Sequence, residues 1–344
     1  MKPIRVLIVD DSPTVQSVLT SLLSAEPDIE VVGSASDPFE AKDLILKKRP
    51  DVITLDIEMP RMDGIAFLKR LMSFRPVPVI MISSYTRVNS LRTMEALDAG
   101  ALDFVAKPAG NVKTGLQELK HEITTKIRDA TLARIKPSVL FGKLEKAVPK
   151  ARVMPSDKII AIGASTGGTR AIQRLLGAIP SDVNGIVIVQ HMPVRFTRAF
   201  AQHLNALFPM DVKEAEDGDG LDRGKVLVAP GGRHLQMAKD LKGYYVRLCY
   251  GRPVKHQRPS IDVLFRSVAK TAGRDAIGIL LTGMGDDGAD GLLAMKQAGA
   301  FTVAQDEATS VVFGMPRSAI ERGAVEVVAA LDDISGIILS ALKS

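Results

Sequence analysis

Three things are scarce in this chain, and each scarcity removes a class of function. Aromatic side chains make up 4% of the 344 residues, and no groove-reading motif accompanies them, which argues against a nucleic-acid reader. Cysteine occurs once, as Cys249, so an internal disulfide is impossible, in keeping with a reducing cytoplasm. No apolar run approaches the roughly 18 residues that would signal a transmembrane helix. The N-terminus enters a strand-like run, Ile4 to Val9, without a small-residue cleavage site, so no signal peptide is expected.

Positive charge is present but local. The chain carries a formal +6, and residues 120–152 alone hold nine Lys/Arg against three acids, which leaves the remainder neutral. A basic stretch with no strand signal, broken by Pro137, Pro149 and Pro155, reads as a helix tail and solvated linker over 123–155. It separates a first domain, 1–122, from a second, 156–344, in agreement with the two domains expected for this length.

Both halves alternate short apolar runs with helical periodicity. In the first, runs at 6–9, 30–33, 52–55, 79–82 and 104–106 predict strands, and Val15, Val18, Leu19, Leu22 and Leu23 recur at helical spacing between two of them. In the second, strands are predicted at 158–162, 185–190, 276–282, 301–304 and 325–328. Helices are predicted near 169–178, 196–206, 260–271, 288–298 and 332–342. Such alternation builds doubly wound parallel sheets with right-handed crossovers. Residues 225–250 interrupt the rhythm and predict an antiparallel hairpin or short meander inserted in the second sheet.

In the first half, the chemistry collects at strand ends. Asp10 and Asp11 follow the first strand, Asp56 the third, Ser83 closes the fourth, and Lys107-Pro108 closes the fifth. The carboxyl ends of parallel strands share one edge, so these side chains converge. Three carboxylates make a hard oxygen site suited to Mg²⁺. Asp56 can attack a phosphoryl group, with Lys107 pairing its charge and Ser83 donating a hydrogen bond. Singly, Asp-Asp after a strand would read as a helix cap and Lys-Pro as a turn; five at successive strand ends do not.

Val-Asp-Asp-Ser (9–12), Leu-Asp-Ile-Glu-Met-Pro-Arg-Met-Asp-Gly (55–64), Ile-Ser-Ser (82–84) and Phe-Val-Ala-Lys-Pro (104–108) closely resemble the receiver domain of bacterial two-component signalling, over about residues 4–122. The resemblance implies a flavodoxin-like fold and phosphorylation of Asp56 by a histidine kinase. It also implies Mg²⁺ held with the help of Asp10 and Asp11, and a rearrangement of Ser83 and Phe104 on phosphorylation.

In the second half, Ile-Ile-Ala-Ile-Gly-Ala-Ser-Thr-Gly-Gly (159–168) runs a buried strand into a glycine turn with Ser165 at its tip, the G-x-S-x-G arrangement that exposes a serine nucleophile. Five histidines are candidates for its base: 121, 191, 203, 234 and 256. His191 stands out because it ends the next apolar strand, whereas His203 lies in a helical pattern and His234 and His256 in Pro/Gly-rich loops. Leu-Thr-Gly-Met-Gly-Asp-Asp-Gly (281–288) brings Asp286 or Asp287 to the same edge as an orienting acid; the rival reading makes both aspartates caps of the helix that follows. No histidine follows residue 256, so the order Ser, His, Asp departs from that of the α/β-hydrolases. A dinucleotide cradle at 163–168 competes, but the spaced G-x-G-x-x-G fingerprint is missing.

Gly-Ala-Ser-Thr-Gly-Gly (163–168), Gln-His-Met-Pro (190–193), Ala-Pro-Gly-Gly-Arg-His (229–234), Arg-Pro-Ser-Ile-Asp-Val-Leu-Phe (258–265), the 281–288 loop and residues 305–316 are similar to the catalytic domain of the chemotaxis receptor methylesterases. The resemblance covers about residues 156–340. It implies Ser165 as nucleophile, His191 as base and Asp287 as orienting acid, with no metal at this site. Backbone N–H groups near Thr166 and Met284 are then candidates for the oxyanion hole. Position 286 is Asp where many members carry Asn, and a second carboxylate there is expected to raise the pKa values of the triad. The implied function is a cytoplasmic, phosphorylation-activated protein-glutamate methylesterase that also deamidates glutamine, with chemotaxis receptors as substrates and neither nucleic acid nor membrane insertion involved. Two rivals stand beside it: a phospho-dependent interaction protein without catalysis, and a nucleotide-dependent enzyme.

Overall fold

Apolar runs buried on both faces become the strands of two separate parallel sheets, as expected for strands covered by helices on each side. The computed structural model describes residues 2–59, 62–84, 87–107, 112–133 and 158–343. The chain divides into two units, residues 1–142 and 143–344.

In the first unit the elements run β1 (Ile4–Val9), α1 (Pro13–Ser24), β2 (Ile29–Ala35), α2 (Pro38–Lys48), β3 (Val52–Asp56), α3 (Gly64–Phe74), β4 (Val79–Ser84), α4 (Arg87–Asp98), β5 (Asp103–Lys107), α5 (Val112–Glu118) and α6 (Lys120–Leu132). The sheet order is β2-β1-β3-β4-β5, all pairs parallel. Helix starts follow local chemistry. Ser12 and Asp37 accept hydrogen bonds from the first-turn N–H groups of α1 and α2, and a proline stands next in each case, where its missing N–H has no consequence.

All five strands expected in this half are present. The expected end of the first domain, at 122, falls within α6, whose Ile123, Ile127 and Ala130 are buried. Arg128 fastens this helix by donating to Asp28 at 2.8 Å and Glu26 at 2.6 Å. The helix tail therefore packs as part of the first unit, while residues 134–155 of the expected linker lie outside the described residues.

The second unit continues with β6 (Ile159–Ala164), α7 (Gly168–Ala178), β7 (Ile186–Gln190), α8 (Phe196–Leu207), β8 (Asp211–Glu214), β9 (Lys225–Val228), β10 (His234–Asp240), β11 (Gly243–Cys249), α9 (Ile261–Thr271), β12 (Ala276–Leu280), α10 (Ala289–Gln297), β13 (Phe301–Gln305), α11 (Met315–Glu321), β14 (Val327–Ala329) and α12 (Leu331–Ala341). Seven strands form a parallel sheet in the order β14-β13-β12-β6-β7-β9-β8.

The expected antiparallel hairpin is present as β10 and β11, but it forms its own two-stranded sheet. Residues 225–228, grouped with it in the sequence, are instead the parallel strand β9. Strand β8, Asp-Val-Lys-Glu, escaped notice because it is a short, charged edge strand, the composition that protects sheet edges. Helix α11 was missed because it has only seven residues and begins Met-Pro.

Each sheet reverses its winding at its first strand: β1 lies between β2 and β3, and β6 between β12 and β7. The crevice beyond the carboxyl end of such a strand is where α/β sheets bind ligands. Asp10 follows β1, and Ser165 follows β6.

Candidate functional site

In the first unit Asp10, Asp11, Asp56 and Lys107, four of the five side chains expected to converge at the strand ends, lie together. Asp10 and Asp56 are buried, and Asp11 is exposed beside them. One carboxylate oxygen from each lies within 4.8 Å of the others. Lys107 Nζ reaches Asp56 Oδ2 at 2.7 Å and Asp10 Oδ2 at 2.9 Å. Burial pushes the Asp56 pKa up to about 6, against the attraction of Lys107 and with the repulsion of Asp10. A Cβ on Gly64 would lie 2.1 Å from the Asp56 carbonyl oxygen, so only glycine lets α3 start so close to this residue.

Ser83 is fully buried, and its Oγ lies at hydrogen-bond distance, 2.8 Å, from Thr93 Oγ1 of α4. Phe104 is buried in β5. Lys126 of α6 stands over its ring, 5.2 Å from the centroid, and donates to its carbonyl at 2.6 Å.

The second site is built from loops at the carboxyl edge of the larger sheet. Register pairs Ala164 with Gln190, so Ser165 and His191 leave adjacent parallel strands side by side, and the His191 N–H donates to the Ala164 carbonyl at 3.1 Å. Gln190 Nε2 donates to the Ser165 carbonyl at 2.9 Å, holding the turn. His191 Nε2 bonds Asp287 Oδ2 at 2.8 Å, and His191 Nδ1 is buried with no hydrogen-bond partner. The hydrogen bonds of the structure join His191 to Asp287 but do not join Ser165 to His191.

Asp287 is almost fully buried and sits in the N-terminus of α9. Its Oδ1 accepts from Ser260 Oγ at 2.8 Å and Asp262 N–H at 3.1 Å, and its Oδ2 accepts from Ile261 N–H at 2.8 Å. Burial favours the neutral acid, but the hydrogen bond and charge of His191, with the Ile261 N–H and the Ser260 hydroxyl, outweigh it and hold the carboxyl below its ordinary range. Asp287 therefore does cap a helix, though not the one that follows it. That helix, α10, is capped by Asp262, whose Oδ1 accepts from the N–H groups of Gly288 at 3.0 Å and Gly291 at 2.6 Å. The exchange needs the left-handed conformation of Gly288, φ 93°, which a side chain would resist.

Asp286 points elsewhere. It bonds Arg322 at 2.6 Å and Lys255 at 3.2 Å, and the Arg322 contact lowers its pKa. The expected upward push on Asp287 is thus not found: the neighbouring carboxylate is engaged by two cations, and Asp287 has its own donors.

Around the serine turn, the Ser165 N–H donates to the Thr282 carbonyl at 3.0 Å, and Thr282 Oγ1 donates to the Thr166 carbonyl at 3.0 Å. Thr166 is buried, and Met284 is an exposed residue of the loop beyond. Among the other histidines, His234 is buried, with Nε2 on the Arg252 carbonyl at 2.9 Å and Nδ1 accepting the Ser260 N–H at 3.2 Å; it supports the loop that carries Ser260. Sequence reasoning assigned no role to Ser260, Asp262, Lys255 or Thr282. For Ser260 and Asp262 the only signal was their place in the 258–265 motif.

Comparisons with known proteins match both halves of the chain. Residues 160–338 match the family profile described as CheB methylesterase, and residues 6–119 match the response regulator receiver domain. The chain is 50% identical, over 100% of its own length and 97% of the relative's, to a protein of Geobacter metallireducens named protein-glutamate methylesterase/protein-glutamine glutaminase 1. A Yersinia pestis protein named protein-glutamate methylesterase/protein-glutamine glutaminase is likewise 50% identical, over 100% of this chain and 98% of that protein. Among solved structures, the CheB methylesterase catalytic domain of Thermotoga maritima is 36% identical with a TM-score of 0.53, covering 54% of this chain and 99% of that one.

Proposed function

Because the chain belongs to the CheB methylesterase family and carries a response regulator receiver domain ahead of the catalytic one, we propose that it hydrolyses γ-methyl esters of glutamate on methyl-accepting chemotaxis receptors. It also deamidates receptor glutamines, works in the cytoplasm, and is activated by phosphorylation of Asp56. The observation that carries this reading is the His191–Asp287 hydrogen bond at the sheet edge where Ser165 emerges.

Ser165 Oγ attacks the acyl carbon and transfers its proton to His191. With Nε2 held by Asp287, Nδ1 is the nitrogen left to take it. Asp287 fixes the tautomer and stabilises the imidazolium. The tetrahedral oxyanion is placed toward the backbone N–H groups of the Thr166 and Met284 loops. Methanol leaves with the proton from His191; ammonia leaves in the same way from a glutamine. Water then attacks the acyl-enzyme, His191 takes its proton, and the glutamate carboxylate is released with Ser165 restored.

In the receiver, Asp56 takes the phosphoryl group from the histidine kinase of the receptor array. Asp10, Asp11 and Asp56 offer three carboxylate oxygens close together, a donor set that fits Mg²⁺, which when bound neutralises phosphoryl charge. Lys107 pairs with that charge, Ser83 donates a hydrogen bond to it, and Phe104 rearranges with Ser83. No helix among the described residues is long and apolar enough to cross a membrane.

The test is methanol release from methylated receptor membranes. Ser165→Ala should abolish it, a fall of about 10³-fold or more, while leaving Asp56 phosphorylation intact. Equal release from wild type and Ser165→Ala would contradict the reading. Saturable nucleotide binding with no release would favour the nucleotide-dependent enzyme instead.

A further inference from the structure

Behind the triad lies an ion pair between the half-buried Lys255 and the buried Asp262, to which the reaction above gives no part. Lys255 sits at the tip of a tight turn closed by two hydrogen bonds between Val254 and Gln257, at 3.0 and 2.8 Å. Both Lys255 and His256 adopt positive φ, 48° and 64°. This backbone, which ordinary side chains resist, aims Lys255 Nζ into a group of carboxylates. It lies 2.9 Å from Asp262 Oδ2, 2.9 Å from Asp290 Oδ2 and 3.2 Å from Asp286 Oδ2, and it donates to the Asp286 carbonyl at 2.9 Å.

The three acids are not equivalent. Asp286 and Asp290 are partly exposed and also meet Arg322, at 2.6 and 3.2 Å, with Arg266 4.0 Å from Asp290. Asp262 is buried, and Lys255 is its one ion-pair partner among the described residues. Asp262 is also the residue whose N–H donates to the Asp287 carboxylate while its own carboxylate caps α10. Two buried carboxylates thus share one pair of helix starts. Around them stand His191 on Asp287, His234 on the Ser260 N–H, and Asp286, Asp290, Arg266 and Arg322 at the outer rim. Uncompensated charge on Asp262 would be felt by Asp287 and, through it, by the imidazole.

We propose that Lys255 is a positioning residue of the esterase site: it neutralises Asp262 so that Asp287 alone sets the charge seen by His191, and with it the pH at which His191 becomes a base. This rests on the triad reading given above. Burial already pushes the Asp262 carboxyl above its ordinary range, and the Lys255 hydrogen bond is the first influence opposing it. Without Lys255, whatever charge Asp262 keeps is uncompensated and favours an imidazolium beside Asp287, which moves the acidic limb of the rate profile upward. A carboxamide at 262 can still cap α10 through its oxygen while carrying no charge, which separates electrostatics from architecture.

The experiment is the pH dependence of kcat/KM for methyl ester hydrolysis by the full chain, for wild type, Lys255→Met, Lys255→Arg and the double variant Lys255→Met/Asp262→Asn. Lys255→Met should move the acidic limb upward by about 0.5–1 pH unit, and so reduce the rate several-fold near neutrality. Lys255→Arg should keep the limb near its original place, and the double variant should return it. A uniform rate loss in Lys255→Met with an unmoved limb, or a double variant as displaced as the single one, would overturn the assignment. Wild-type activity abolished by Ser165→Ala keeps the triad reading in force, so either result would count against Lys255 alone.

Discussion

Asp56 and Asp287 are both buried at the carboxyl edge of a parallel sheet, each with one basic side chain at hydrogen-bond distance, yet their protons behave oppositely. Asp56 meets Lys107 but also Asp10, and its pKa rises to about 6. Asp287 meets His191 and three further donors from the start of α9, and its pKa falls. Burial alone therefore does not decide the charge of a carboxylate. The donors aimed at it do, and a helix start supplies several at once. Asp287 has its oxygens committed to His191 and the start of α9, whereas Asp56 shares a crowded acidic site with Asp10 and Asp11.

The contrast can be broken at the acid. Asp287→Asn keeps a similar shape but presents an amide to His191, which favours the wrong tautomer. Methylesterase kcat should fall by about 10³–10⁴-fold with little change in thermal stability; retention of more than a tenth of the activity would show that Asp287 does not orient the base. A milder cut removes one donor: Ser260→Ala takes away the hydroxyl on Asp287 Oδ1 and should lower kcat/KM by about tenfold, the scale of one hydrogen bond to a charged group. No loss at all would mean that the backbone N–H groups suffice.

A third buried aspartate sharpens the comparison. Asp129 of α6 is pushed up to about 7 by burial and by Asp103, with Lys126 only partly offsetting them. Unfolded, the group titrates near about 3.9. The folded first unit therefore holds an extra proton between those values, so its stability falls as pH rises from about 4 to about 7 and is level above that. Asp129→Asn should stabilise this unit by about 2–4 kcal/mol at pH 8 and by nothing below pH of about 4, as checked by denaturant melts at the two pH values. An equal effect at both would place the cause in packing rather than charge.

How much was legible in the sequence follows from how far each signal reaches. The five receiver side chains and the Ser165–His191 neighbourhood could be placed because strand order and strand ends are local features, and parallel sheets gather those ends on one edge. Asp286 and Asp287 could not be separated from the residues alone, since their loop permits either to turn inward. The family resemblance favoured Asp287, and it is Asp287 that reaches His191 while Asp286 turns to Arg322. Lys255, Ser260 and Asp262 stayed hidden because they act through reciprocal helix caps some 25 residues apart, a pairing with no periodicity. Strand β8 was lost to its edge-strand charge, and β9 to the turn residues beside it.

The most direct test of the account joins the two sites in one assay: methanol release from methylated receptor membranes by the full chain, with Mg²⁺, with and without a small phosphodonor, for wild type and Asp56→Asn. The account predicts that phosphodonor raises wild-type release severalfold and leaves Asp56→Asn at its unstimulated rate. Release by wild type that is indifferent to phosphodonor, or stimulated equally in Asp56→Asn, would contradict it.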